Sequence, residues 1–404
     1  MGSAPASEAF CIAAQFCQNL TRRTILTLDE TEGKTTLKPL TLEEIRLADT
    51  GIVRVSGVDA VKFLQGQLSN DVSKVTERQS LLAGYHNPQG RTIALLRLVL
   101  WGVDDILALV PRELAAVVAA RLAKYVLRAK VKVVEDSARW RVVGLVNGNA
   151  TRGGGAGGGL AASVGAATVG CVGGGGDSSA GVRAGPVGGV GAGASNAAGD
   201  DLPATVDAQT RADGAVFVRV GDEPPRWLAI TSADAAAPLL NCTPLDHSAW
   251  LRLEIAGGQP QVLAATSEEF VAQMLNLDAL NAIAFDKGCY TGQEVIARAH
   301  YRGRVKRRMQ RFISRQPCRL APGDPGALAD GRAFKVVLSA PLTDGRCDFL
   351  AVTAVGGHEI AGGAGAVAAA PAPSAASGDV GSAAAAAVTV VDAEQVALPY
   401  PLPE

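Results

Sequence analysis

The sequence predicts an α+β fold, and three observations predict it. Period-two alternation and helical spacing follow one another without the strict strand–helix alternation of a doubly wound sheet. The last ordinary stretches, Met309 to Ser314, Ala333 to Ser339 and Phe349 to Val355, all read as strands of a small C-terminal β domain. Two biased tracts stand apart from the rest. Residues 151–200 hold 19 of the 47 glycines, and residues 361–388 read AGGAGAVAAAPAPSAASGDVGSAAAAAV. Neither spaces large apolar side chains closely enough to offset chain entropy, so both are expected to be flexible insertions. The roughly 300 remaining residues suit two or three domains of ~100–200 residues each.

In chain order, Thr41-Leu42-Glu43-Glu44 has capping-box spacing and predicts a short helix start. Gly51 to Ser56 alternates as a strand. Asp59 then caps a helix that places Val61, Leu64 and Leu68 on one face. Arg91 to Val99 and Asp104 to Val110 form a strand pair across a turn at Gly102. Pro111 sits at a first helical position, and Leu114, Val117, Val118, Leu122 and Tyr125 give that helix one apolar stripe. Val131 to Val134 and Trp140 to Val146 are strands, as are Ala215 to Val220, Arg226 to Thr231 and, next in line, Trp250 to Ile255. Thr266-Ser267-Glu268-Glu269 is a second capping box.

Composition excludes several function classes. With 38 Lys and Arg against 39 Asp and Glu, the net charge of −1 supplies no global field for nucleic acid or an acidic substrate. The seven cysteines (11, 17, 171, 242, 289, 318 and 347) are odd in number and form no CxxC, which fits a reducing compartment rather than a disulfide framework or zinc site. The four histidines are scattered and no metal site is expected. No run of 18 apolar residues predicts a membrane span. The first 40 residues are too acidic for a transit peptide, with Glu8, Asp29, Glu30 and Glu32. A cytoplasmic location is therefore expected, or a mitochondrial matrix one in a eukaryote. The GxGxxG match within Gly153 to Gly158 follows from composition, and no helix is expected after it.

Chemistry concentrates in DKGCYTGQEV, Asp286 to Val295. Thr291-Gly292-Gln293-Glu294 has capping-box spacing, with Thr291 as N-cap of a helix running toward Ala299. Cys289 then precedes a helix N-terminus and lies two residues from Lys287, and both favour a thiolate. The competing reading packs Cys289 beneath a turn made by Gly288 and Gly292. Downstream, Arg298, Arg302, Arg304, Lys306, Arg307, Arg308 and Arg311 surround His300 and Tyr301. That run is either a solvated face or an anion-binding wall.

The segment FDKGCYTGQEVIARAHYRGRVKRR, Phe285 to Arg308, closely resembles the signature of the YgfZ-type folate-binding iron–sulfur cluster assembly and repair proteins, a branch of the aminomethyltransferase superfamily. FLQGQLSNDV at Phe63 to Val72, NPQGRTIALLRL at Asn87 to Leu98, Gln273 to Leu277 and the terminal LPYPLP resemble the same family. The resemblance covers roughly residues 37–150 and 205–360. It implies three domains in a ring around a channel, two of them α+β and the last a small β-barrel. The implied division is a flexible extension at 1–36; a discontinuous folate-binding domain at 37–125 plus 250–300; a second α+β domain at 126–150 plus 205–249; the insertion at 151–204; and the barrel at 301–404 with its own insertion at 361–388.

The resemblance also implies tetrahydrofolate, or a derivative, as ligand. A pterin edge suits carboxylate and amide groups, the benzoyl ring apolar walls, and the glutamyl tail Arg or Lys. By motif position it carries over Cys289 as the functional thiol and Lys287 as its electrostatic support. Tyr290, Gly292, Gln293, Glu294 and Arg298 are carried over as folate-binding positions, with Gln65 and Gln67 as further channel-lining candidates. One departure bears on activity. Aminomethyltransferases carry an aspartate pair in the first hairpin, and the matching positions here are Ala94 and Leu95. Without that carboxylate the transfer reaction is disfavoured. The expected function is that of an accessory factor for assembly or repair of [4Fe–4S] enzymes, including tRNA-thiolating ones. Its expected partners are those client enzymes, with an indirect link to tRNA and no membrane, and the chain is expected to be a monomer. The rival readings are a tetrahydrofolate-dependent transferase and a tRNA-binding regulator of tRNA modification.

Overall fold

The computed structural model describes residues 26–31, 34–39, 42–147, 202–212, 214–235, 242–303, 305–355 and 389–403. The bodies of both Gly/Ala tracts, the GxGxxG match, His358, Arg304, Thr41 and Cys11, Cys17 and Cys171 lie outside these residues, as does the N-terminal extension before residue 26.

A two-stranded hairpin, β1 (Leu26–Thr31) and β2 (Lys34–Pro39), precedes three larger sheets. The first sheet is antiparallel throughout, in the order β5-β6-β7-β4-β8. Its strands are β4 (Thr50–Ser56), β5 (Leu81–His86), β6 (Thr92–Gly102), β7 (Asp105–Pro111) and β8 (Lys132–Glu135). Short helix α1 (Ala60–Gln65) follows β4. Helix α2 (Arg112–Ala123) turns Leu114, Ala115, Val118, Ala119 and Leu122 inward, because its apolar residues recur at helical spacing. Pro111 stands one place earlier than expected, as N-cap.

The second sheet runs β10-β11-β12-β9-β3-β13. It contains β3 (Leu42–Arg46), β9 (Trp140–Asn147), β10 (Gln209–Ala212), β11 (Ala215–Asp222), β12 (Pro225–Ser232) and β13 (Thr243–Pro244). Here two sequence expectations are corrected. The part of the capping-box stretch described, 42–44, is strand, because pairing Leu42–Arg46 with β9 buries Leu42 and Ile45, which outweighs a local helix start. Trp250 to Ile255 is not a strand but part of helix α3 (His247–Ala256). Asp246 caps α3 by accepting from the Ser248 N–H. Trp250 lies flat against Gly144 of β9, where any Cβ would come within 2.7 Å of its ring.

The third sheet is β18-β15-β16-β17-β14-β19: β14 (Arg307–Ser314), β15 (Pro325–Leu328), β16 (Ala333–Pro341), β17 (Cys347–Ala354), β18 (Thr389–Val391) and β19 (Ala393–Val396). Its two edge strands are consecutive in the chain, separated only by Asp392. One continuous segment therefore spans from edge to edge, and the sheet curls toward a barrel around Phe312, Phe334 and Phe349. Between α3 and β14 the chain returns to the first sheet, where Phe270, Leu275, Leu277, Ala282, Tyr290 and Ile296 join its core. The capping box at 266–269 opens no helix: the 3₁₀ turn Ala264–Thr266 ends at its first residue, with Ser267 as C-cap. Glu268 stands in the left-handed region at φ 64° and the chain leaves helical geometry there. Among the described residues no helix is long and apolar enough to cross a membrane.

Candidate functional site

The signature loop is built on backbone carbonyls. Lys287 extends its ammonium into a nest of three, donating to the carbonyl oxygens of Gln65, Leu68 and Asn70 at 2.7, 2.7 and 2.8 Å. These carbonyls close α1 and its following turn, where helical C=O groups lack intrahelical donors and carry partial negative charge. The Lys287 nitrogen also stands 5.2 Å from the Tyr290 ring centroid. Burial lowers its pKa to about 8. Around this staple, Ser69 donates to the Ala282 carbonyl and accepts from Gly84 N–H. Asn70 donates to the carbonyls of Leu82 and Asn281. Gln65 is spent locally, donating to Asp71 and accepting from Val72 N–H. The buried Gln67 side-chain oxygen has no partner among the described residues.

Two glycines lock the loop to the first hairpin. Gly292 has φ 83°, and a Cβ there would lie 2.5 Å from the Asn87 carbonyl. Gly90, at φ 72°, would press a Cβ to 2.9 Å from Val295. This interlock makes Gly292, not the expected Thr291, the N-cap of α4 (Gln293–Tyr301), and no side chain caps it. On α4, Glu294 and Arg298 pair with each other at 2.8 Å across the solvent face. Tyr290 is buried, which pushes its hydroxyl pKa up to about 12. Cys289 is exposed on the same loop. Beneath Tyr290, at 6.5 Å between ring centroids, lies fully buried His86. Both of its ring nitrogens lack partners among the described residues, and burial lowers its pKa to about 3.

The basic run separates into two groups. Arg308 and Arg311 are structural, each forking onto a buried carboxylate, Asp278 and Asp348 respectively. Arg302, Lys306 and Arg307 are exposed. They follow an aromatic cluster in which Phe285 and His300 stack at 3.8 Å and Tyr301 meets both edge-on.

The three sheets line a separate cavity of about 480 Å³ that opens to solvent. The first contributes Leu82, Leu95, Arg97 and Leu109; the second Val220 and Leu228; the third Leu338 and Ser339; and α3 contributes His247, Trp250, Leu251 and Glu254. Glu254 is half-buried, and loss of hydration raises its carboxyl pKa against the pull of Arg226 and Arg97. Arg226, itself 1% exposed, places Nε 3.5 Å from a Glu254 oxygen. Its guanidinium fits only because Gly221 and Gly257 lack side chains: a Cβ at either would approach to 2.4 or 2.3 Å. Arg97 pairs with Asp207.

None of the nine residues singled out from the sequence lines this cavity. Lys287, Gln65 and Tyr290 come together at the signature loop; Glu294 and Arg298 face solvent beside it. Glu254, Arg226, Arg97 and Trp250 were missed. The available signal was Arg252-Leu253-Glu254 inside an apolar run, bracketed by Asp246 and Gly257-Gly258 as helix punctuation. Of the positions that depart from the aminomethyltransferase aspartate pair, Leu95 forms part of the cavity wall and Ala94 is buried in the first-sheet core.

No family model matches the sequence. The tRNA-modifying protein YgfZ of Pectobacterium carotovorum subsp. carotovorum (strain PC1) is 30% identical over 268 residues, covering 65% of this chain and 68% of that protein. YgfZ of Escherichia coli O157:H7 (strain EC4115 / EHEC) is 30% identical over 275 residues, 67% and 70% of the two chains. Among solved structures, aminomethyltransferase T of the glycine cleavage system from Bartonella henselae superposes with a TM-score of 0.52. The match covers 85% of this chain and 89% of that one; at 11% identity it speaks to the fold alone.

Proposed function

The chain belongs to the family of the tRNA-modifying protein YgfZ, and from that premise we propose that it is a folate-binding accessory protein supporting assembly or repair of [4Fe–4S] enzymes, tRNA-thiolating ones among them. One observation carries the ligand assignment: a half-buried carboxylate, Glu254, whose pKa burial raises, set in a cavity of about 480 Å³ with mainly apolar walls. The residues fit a reduced folate. A pterin presents adjacent N–H donors that a carboxylate accepts in pairs. Leu82, Leu95, Leu109 and Trp250 supply walls for the fused and benzoyl rings, and Arg97, Arg112 and His247 supply cationic or donor groups for a glutamyl tail. Tetrahydrofolate, when bound, would supply an oxidisable one-carbon carrier. The chain's own residues bind it, orient it and exclude water. Leu95 in the wall, in place of a carboxylate, weighs against the transferase reading.

Cys289 is the working thiol in this reading. It stands exposed at the surface, on a loop held by the Lys287 staple and the Gly90–Gly292 interlock. The test is complementation of a strain lacking the protein, scored by [4Fe–4S] enzyme activity and thiolated tRNA. Wild type should rescue and Cys289→Ala should not; full rescue by the alanine variant would remove the thiol from the account.

A second reading has its own support. Exposed His300 and Tyr301, backed by half-buried Phe285 and followed by Arg302, Lys306 and Arg307, form the combination that stacks bases and contacts phosphates. Steeply salt-dependent tRNA binding, lost in a Tyr301→Ala, Arg302→Glu variant, is the expected result for direct RNA contact.

A further inference from the structure

Two cysteines that the proposed function does not use meet in the third sheet. Cys347 is the first residue of β17, and Cys318 lies on the strap joining β14 to β15. The Cys347 thiol donates to the Cys318 carbonyl at 2.9 Å, and the two side chains interact directly. Both are fixed by backbone bonds: Cys318 N–H to the Gly345 carbonyl at 3.2 Å, and Cys347 N–H to Ser314 Oγ at 2.8 Å. Cys347 is buried and Cys318 half-buried against the Phe312–Phe349 core. Of the other described cysteines, Cys242 bonds instead with Glu44, and Cys289 sits on the signature loop.

We propose that Cys318 and Cys347 form a reversible disulfide on exposure to a hydroperoxide, and that this bond pins the strap to β17. Cys318, the more accessible, reacts first. Its thiolate attacks the terminal peroxide oxygen, the O–O bond breaks, and alkoxide or hydroxide leaves to take up a proton, giving the Cys318 sulfenic acid. The Cys347 sulfur then attacks the Cys318 sulfur. The S–O bond breaks, and the departing hydroxyl leaves as water with the Cys347 proton. In sum, two thiols and one hydroperoxide become a disulfide, one alcohol (or water) and one water. Burial holds the Cys347 thiol at about 11. The second step is therefore slow at neutral pH and quickens as pH rises.

The strap leads to the central cavity. The Leu320 carbonyl, two residues beyond Cys318, accepts from Ser339 Oγ at 2.6 Å, and Ser339 and Pro322 both line the cavity. Pinning Cys318 therefore restrains one cavity wall.

The test uses the full chain carrying Cys289→Ser, reduced, freed of reductant and exposed to excess hydrogen peroxide at pH 8. Cysteines are then alkylated under denaturing conditions and the peptides mapped. The expected product is an intramolecular 318–347 cross-link, reversed by dithiothreitol and formed several-fold faster at pH 9 than at pH 7. Cys347→Ala should leave Cys318 as a sulfenic acid trapped by dimedone. Backbone amides of Leu320, Ala321 and Gly323 should exchange more slowly in the oxidised protein. Recovery of both residues as alkylated thiols, their over-oxidation without a link, or linkage to other cysteines would overturn the proposal. The map of the Cys289→Ser chain decides this even if the alanine variant does not fold.

Discussion

The signature loop and the central cavity solve opposite problems. The loop lies at the surface, and its one buried ammonium is committed to backbone: Lys287 donates to three carbonyls, while Asn70 beneath it donates to two and Gly292 fills a glycine-sized gap. The cavity is walled by all three sheets and is mostly apolar, with Glu254 and Arg97 among its polar groups and Arg226 behind Glu254. The loop spends its Lys287 ammonium on holding a shape beside one exposed thiol. The cavity leaves its carboxylate facing space that a ligand can fill. A dense motif is therefore not evidence that its own side chains touch the ligand, and most of this one is scaffold.

Mutations that break this contrast should differ in size. The largest effect is expected at the cavity, where Glu254→Ala leaves Arg226 buried without a counter-charge. Urea unfolding should show a loss of about 3–5 kcal/mol, with Glu254→Gln losing less. Next comes Lys287→Met, which strips three carbonyls of their donor and should cost about 2–4 kcal/mol. Cys289→Ala, on the same loop but exposed, should fall within about 0.5 kcal/mol of wild type. Equal losses at 287 and 289 would contradict the division between scaffold and thiol.

His86 sharpens the picture through pH. Its folded pKa of about 3 lies below the ordinary value of 6.5, so the unfolded chain binds the proton first as pH falls. Its contribution is fully present above pH 6.5 and is lost progressively toward pH 3, amounting to about 2 kcal/mol by pH 5. His86→Leu should remove that part of the acid slope in urea titrations at pH 7 and pH 5. An unchanged slope would mean that His86 is protonated, or hydrated, in the folded protein. The smallest effect is expected for Glu294→Ala. Its exposed pair with Arg298 is worth about 0.3–0.5 kcal/mol.

How much of this was legible in the sequence follows from the distance over which each feature is determined. The α+β class, most strands and α2 were legible because periodicity is local. Gly292 was legible as a turn glycine, but its partner Gly90 was not, since their interlock joins segments some two hundred residues apart. Thr291 looked like an N-cap by spacing, but the left-handed Gly292 took that place. Trp250 to Ile255 was misread because a short apolar run does not separate strand from helix; Asp246 before it and Gly257-Gly258 after it carried the missing information. The Lys287 carbonyl nest could not be read at all, since backbone carbonyls have no sequence identity. The cavity residues were missed for a related reason. Each is ordinary in its own segment, and only the packing of three sheets brings them together.

The central claim is that the Glu254 cavity, and not the signature loop, binds the folate. Calorimetric titration of 5-formyltetrahydrofolate into the wild type, Glu254→Gln and Cys289→Ala proteins tests it most directly. The expected result is saturable one-to-one binding, weakened at least tenfold by Glu254→Gln, about 1.4 kcal/mol, and unchanged by Cys289→Ala. Undiminished affinity in a folded Glu254→Gln protein, or loss of binding in Cys289→Ala, would contradict it.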